Sequence, residues 1–322
     1  MSISLGELFK IDTPKAKFIK SIHIPTSIKV DNRVYKIDKS KNVKYGGYGI
    51  IIFYENVVLK ILTSLPGKVF TYITPELEGV KLAQKLSKYF IKSSIINLKH
   101  YKEYSDTSFK NVYRYNTINV SMVLMERYHG DIYLPILKNK FSHKDKQSIF
   151  KLIITLFLEL LKHDKIYGDI KLEQILYKTT IGTKIKLGDL GSITNLDNSI
   201  VIPTFSPRDY AIKHKLNTDK LLLFSLGTLW FDLYRDQKNF NNFVLSYDKI
   251  NYDITFNYAL KSNLDLINNY DDFFSKQKKL VYEWMIADLT NLNSNKEFFT
   301  NEFNKMLVCI QSHDDDTGTD KS

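Results

Sequence analysis

A chain of 322 residues with 43% hydrophobic content is long enough to bury a sizeable core in two domains or one bilobed one. Its single cysteine, Cys309, excludes a disulfide framework and a multi-cysteine zinc site, and it favours a reducing compartment. The net charge of +11, carried almost wholly by lysine, suits an acidic partner, yet no arginine-rich or aromatic-basic stretch marks a nucleic-acid face.

Residues 1–28 carry mixed signals and read as an N-terminal extension packed on the main fold. Glu7 and Asp12 interrupt the apolar core that a secretion signal would need. From Arg33 to Leu62 the pattern is β: "RVYKI", "GIIIFY" and "NVVLKIL", with Tyr54–Asn56 as a hairpin turn. "TPELEGVKLAQKLSKYF" predicts a helix that starts with Thr74 as N-cap and Pro75 at its first position. Leu77, Val80, Leu82 and Leu86 form its apolar face. "SIINLKHY" and "TINVSMVLMERY" predict two further strands.

Beyond Arg127 the character changes. "KDKQSIFKLIITLFLELLKHD" predicts a long, mostly buried helix, followed by short strands in "QILY" and "KIKLGDL". Tyr210 to Gln311 reads as helices, and residues 311–322 as an acidic, disordered tail. The apolar runs "IFKLIITLFLELL" and "LLLFSLGTLWF" fall short of the roughly 20 residues a membrane span needs. A strand-rich part with one helix, then a helix-rich part, predicts an α+β protein of two lobes, residues 29–126 and 127–310.

Five features carry chemistry. Gly46, Gly47 and Gly49 in "KYGGYGIIIF" let the backbone approach a charged group closely, although glycines at a hairpin are also ordinary turn residues. Lys60 in "VVLKIL" is a cation among apolar strand residues, which either snorkels to water or holds phosphates against a helix glutamate. Glu76 and Glu78 compete for that pairing, and Glu78 is preferred because its neighbour one turn on, Leu82, is apolar. Asp169 and Lys171 follow a glycine in "IYGDIKLEQIL", between a buried helix and a strand. Asp189 stands at a strand end in "IKLGDLGS". Two carboxylates at strand ends suit one to accept a proton and one to bind Mg²⁺.

The joint order of these features resembles that of the eukaryotic-type protein kinases, from about Val34 to Leu289. The fold this implies is bilobal: a small β-rich N-lobe with one key helix and a larger, mostly helical C-lobe. The resemblance implies ATP and Mg²⁺ as cofactors. It makes Gly46, Gly47 and Gly49 the phosphate-covering loop and Lys60 the contact to the α- and β-phosphates, with Glu78 as its partner. Met125 would be the gatekeeper, with Glu126 to Tyr128 facing adenine. Asp169 would be the base toward a substrate hydroxyl, Lys171 a γ-phosphate contact, and Asp189 the principal Mg²⁺ ligand. Lys171 two residues after the base points to Ser/Thr rather than Tyr specificity. "TFSPRDYA" and Gly168 before the base are similar to the vaccinia-related and casein kinase I-like branch.

The chain also departs from the pattern. Gly168 replaces the arginine that would bind an activation-loop phosphate, so activity is expected without loop phosphorylation. Asp219 lies further from Gly227 than in the family's helix start, and "VYEWMIADLTNL" lacks the arginine usual after its Asp. Gln174 stands where a metal-binding Asn is expected. Its extra methylene moves the amide oxygen by about 1 Å, and a shift of that size can cost on the order of 10²-fold in rate. The competing readings are a pseudokinase that binds nucleotide as a scaffold, and a small-molecule kinase whose loop shares "GD". Lys171 and the three glycines favour the protein kinase. The Lys-, Ile- and Asn-rich composition resembles that of an AT-rich genome, such as a large DNA virus or a protist. The location then implied is cytoplasmic, in the host cell for a viral chain, or nuclear, for a monomer that acts on protein substrates away from membranes.

Overall fold

The structure, a computed structural model, describes residues 2–4, 24–30, 32–40, 43–46, 49–64, 69–99, 113–115, 118–138, 140–178, 185–196, 218–234, 275–286 and 296–316. It is a mixed α+β protein that divides into two units: residues 1–129 with 186–193, and residues 130–185 with 194–322. Gly47 and the whole of "TFSPRDYA" lie outside the described residues, as does the end of "VYEWMIADLTNL".

The first unit is built on β1 (Ser2–Ser4), β2 (Ser27–Val30), β3 (Arg33–Lys36), β4 (Val43–Gly46), β5 (Gly49–Phe53), β6 (Val57–Ser64), helix α1 (Val69–Lys85), β7 (Ser93–Lys99), β8 (Tyr113–Tyr115) and β9 (Ile118–Glu126). Seven of the described strands make one sheet in the order β1-β7-β9-β6-β5-β4, with β8 added to β9; β2 and β3 form a separate hairpin. The expected strands are present, and the start of the chain is part of this sheet, since β1 runs parallel to β7.

Period-two alternation sorts the residues onto two faces. Ile50, Ile52, Leu59, Ile61, Val120, Met122 and Leu124 point into a core shared with Ile28 and Val30 of the hairpin. Each such side chain, fully buried, contributes about 1.5–3 kcal/mol. Val58, Lys60 and Leu62 of β6 alternate to the opposite face. Helix α1, which contacts β6, β7 and β9, covers this side with Ile73, Leu77, Val80 and Ala83. Gly49 is required where β5 meets β6, because a Cβ there would lie 2.0 Å from the carbonyl oxygen of Ile61.

Helix α1 begins earlier than the capping signal predicts. It starts at Val69, so Pro75 lies inside it and Thr74 is a buried helical residue rather than its N-cap. Pro75 removes one backbone hydrogen bond to the preceding turn. The contacts of α1 with the sheet hold the helix through that loss.

The second unit contains β10 (Gly130–Asp131), α2 (Tyr133–Leu137), α3 (His143–Lys162), β11 (Lys165–Tyr167), β12 (Ile175–Tyr177), α4 (Thr218–Tyr234), α5 (Ser275–Ile286) and α6 (Lys296–Asp316). Helix α3 is its axis. Ser142 caps it through the amide of Asp145, whose carboxylate returns a bond to the Ser142 amide. Ile149, Phe150, Ile153, Phe157 and Leu160 are fully sequestered. Phe157 meets Phe303 of α6 edge-on at 5.7 Å. Trp230 of α4 donates to Gln277 of α5, and Trp284 of α5 to Glu302 of α6. Helix α6 continues to Asp316, which corrects the expectation of a disordered tail from residue 311. The buried stripe Phe299, Phe303, Met306 and Ile310 anchors the helix, and i→i−4 bonding carries it past the last apolar residue. Among the described residues no helix is long and apolar enough to cross a membrane.

A lysine–carboxylate cluster and a candidate catalytic loop

Lys60 sits in the middle of β6, paired across the sheet with Ile51 on one side and Val123 on the other. A cation so placed is only 15% exposed and needs compensation. It finds two carboxylates. Its Nζ lies 2.7 Å from Glu76 Oε2 and 3.2 Å from Asp189 Oδ1. Glu76 is 4% exposed, and its Oε2 also accepts the backbone N–H of Gly191 at 2.9 Å. Asp189 is 33% exposed and adopts a left-handed backbone with φ of 43°. That conformation is unfavourable for a residue with a side chain, and such strain gathers at functional sites. The Ser192 hydroxyl donates to Asp189 Oδ2 at 2.9 Å and steadies the carboxylate.

The electrostatics follow from burial and proximity. Burial alone would lower the pKa of Lys60, but the Glu76 and Asp189 carboxylates outweigh it and raise the pKa above its ordinary value. Burial pushes Glu76 upward, with Lys60 opposing and Asp189 adding to the rise. Removing one partner from a buried pair of this kind costs about 3–5 kcal/mol, because a charge is left without compensation.

The partner of Lys60 is therefore Glu76, and the expectation of Glu78 is corrected. Glu78 is exposed. On a helix, residues two apart point to nearly opposite sides. Glu76 shares its face with Ile73, Val80 and Ala83, three before, four after and seven after it, all buried. That stripe was available in the sequence, but placing the helix start at Thr74 left Ile73 out of it. Ser192, three residues after Asp189, was also missed. A hydroxyl so close to a strand-end carboxylate is the signal that could have found it.

At the end of β9, Met125 is buried between Val58 of β6 and Ser93 of β7. The Glu126 amide donates to Lys92 O at 2.8 Å, and the Arg127 amide to Asn56 O at 3.2 Å. The Arg127 guanidinium donates to Tyr54 O at 2.8 Å and pairs with the Asp38 carboxylate. Hydrogen bonds from Ser40 and Arg127 hold Asp38 well below the usual carboxylate range. Tyr128 is half-buried, and burial with the nearby Glu126 carboxylate pushes its hydroxyl up to about 12. A cavity of about 1230 Å³ opens beside this strand end, with Val57, Ser93, Met125 and Glu126 in its walls. Lys60, Glu76 and Asp189 are not among its lining residues, so it is distinct from the charged cluster. Gly46 and Gly49 pair with each other at the tip of the β4–β5 hairpin.

In the second unit, the chain leaves α3 through Asp164, left-handed at φ 54°, and passes along β11 to Asp169. Ile170 and Leu172 are buried, so the alternating Asp169 and Lys171 are left partly exposed. The Lys171 ammonium pairs with Asp169 Oδ2. Leu172–Gln174 forms a 3₁₀ turn that contacts α4, and β12, directly after it, pairs with β10. The Gln174 amide closes the turn by donating to Lys171 O at 3.0 Å, which leaves its half-buried side chain at the exit of the loop.

Of the residues singled out in the sequence, the structure thus gathers Lys60 with Asp189, and Asp169 with Lys171. It places Met125 and Glu126 at the end of the strand next to Lys60's own. No protein-family model matches the chain, and no curated protein does either.

Proposed function

We propose that the protein is an ATP- and Mg²⁺-dependent Ser/Thr protein kinase that transfers a γ-phosphoryl group to protein hydroxyls. The observation that carries this reading is the cluster of Lys60, Glu76 and Asp189. A strand, the helix that follows it and a turn 129 residues after Lys60 converge on a charge arrangement whose burial costs stability. A sheet with one helix across its face is also the kind of lobe that the kinase resemblance implies.

The residues present fit the cofactors. The partly exposed Asp189 carboxylate is an oxygen donor of the type Mg²⁺ requires. Lys60, held by Glu76, would meet the α- and β-phosphates, and the Gly46–Gly49 hairpin would cover them. Mg²⁺, when bound, neutralises charge on the phosphates. Asp169 would accept the proton of the substrate hydroxyl while the hydroxyl oxygen bonds to the γ-phosphorus and the bond from that phosphorus to the β-phosphate oxygen breaks, releasing ADP. Lys171, already paired with Asp169, holds that carboxylate in place.

The pseudokinase reading is favoured by one feature, Gln174. Incubation with ATP, Mg²⁺ and basic and acidic protein substrates separates the two. Phosphotransfer by wild type that is lost in Asp169→Asn and in Lys60→Ala supports the kinase. Nucleotide binding without transfer, restored to transfer by Gln174→Asn, supports a disabled one.

A further inference from the structure

Glycine in the interior of a helix is less favourable than alanine, because it gives up more backbone freedom on folding. Gly79 stands in the middle of α1, on its buried side. The reason lies in what faces it. A Cβ at position 79 would sit 1.9 Å from the carbonyl oxygen of Leu190 and 2.7 Å from its carbonyl carbon. Both are backbone atoms, which cannot swing aside as a side-chain tip can. Leu190 is the residue after Asp189. One turn back along the helix, Glu76 accepts the amide of the next residue, Gly191. The helix and the Asp189–Ser192 turn are thus joined backbone to backbone at Gly79 and carboxylate to amide at Glu76.

We propose that Gly79 is a positioning residue: its missing side chain sets the depth at which α1 seats against the Asp189 turn and so delivers Glu76 to Lys60. An alanine there would reach ordinary contact only if helix and turn part by about 1.5 Å. Such a displacement takes the 2.9 Å bond from the Gly191 amide to Glu76 Oε2, which spans the same helix–turn junction, beyond hydrogen-bonding range and frees the carboxylate that holds Lys60. Only the enzymatic consequence rests on the kinase reading. The geometric one does not.

The test uses the full chain and reads Lys60 directly, by peptide-resolved labelling with an amine-reactive reagent. Lys60 should be slow to react in wild type and faster by about tenfold or more in G79A, because the carboxylate that holds its proton is withdrawn. E76Q should show the same acceleration, and G79A/E76Q should be no faster than E76Q, since Gly79 acts through Glu76. A83G weakens the same helix and should leave Lys60 within twofold of wild type, which separates positioning from general loosening. Where wild type shows phosphotransfer, G79A should lower kcat on the order of 10²-fold, again without adding to E76Q. Wild-type labelling of Lys60 in G79A, an effect that multiplies with E76Q, or a G79A protein that does not fold would each overturn the proposal. If wild type lacks phosphotransfer, the kinase reading falls while the labelling still decides the role of Gly79.

Discussion

At the scale of single residues, the sharpest lesson comes from two glutamates in one helical turn. Glu76 is buried against Lys60, and Glu78, two positions on, is exposed. Glu76→Ala should lower unit stability by about 3–5 kcal/mol and, on the proposed kinase reading, reduce phosphotransfer on the order of 10²-fold, whereas Glu78→Ala should change either by little. Denaturant melts and initial rates on the two variants check this, and equal effects would remove Glu76 from the site. Lys60, Asp169 and Asp189 stand out in the sequence through their joint order with the glycine-rich turn rather than singly, and the structure pairs Lys60 with Asp189. The choice between the glutamates does not, since it depends on where the helix begins. Pro75 suits a first-turn position, yet tertiary contacts keep the helix intact on both sides of it.

At the scale of elements, the long segments announced themselves and the short ones did not. Helix α3 carries a capping box and an unbroken apolar face, both local properties. Strands such as β8 and β10 have three and two residues and owe their conformation to partners elsewhere in the chain. The tie made by Arg127 is of this distant kind. It joins the end of β9 to the β5–β6 turn through Tyr54 O and to the segment after β3 through Asp38. Because Asp38 is held below its ordinary value of 3.8, its contribution to stability is complete above that pH and is lost as the pH falls toward the lower folded value. The melting temperature of wild type should therefore exceed that of Asp38→Asn at pH 6, with the gap closing as the pH drops below 3.8. A gap that is constant with pH would show that the pair adds nothing through ionisation.

At the scale of the whole molecule, the chain divides into two units, residues 1–129 with 186–193 and residues 130–185 with 194–322. Helix α1 is held to the Asp189 turn by Glu76, by Lys60 and by the contact at Gly79, none of which needs a phosphate. On the proposed kinase reading, in which Gly168 takes the place of a phosphate-binding arginine, phosphatase treatment of the purified protein should leave phosphotransfer within about twofold, a range too small to reflect loss of a charge-assisted contact. A large fall in rate would make phosphorylation part of the active state. The first unit is also not one stretch of chain. Residues 186–193 belong to it although the chain on both sides belongs to the other unit. A fragment ending at His129 would retain Lys60 and Glu76 but lack the Gly191 amide and the Asp189 carboxylate that complete the cluster. Genetic separation of the two units would therefore leave Glu76 without its backbone donor and Lys60 without its second carboxylate, so the autonomy suggested by compactness is not matched by autonomy of the polypeptide.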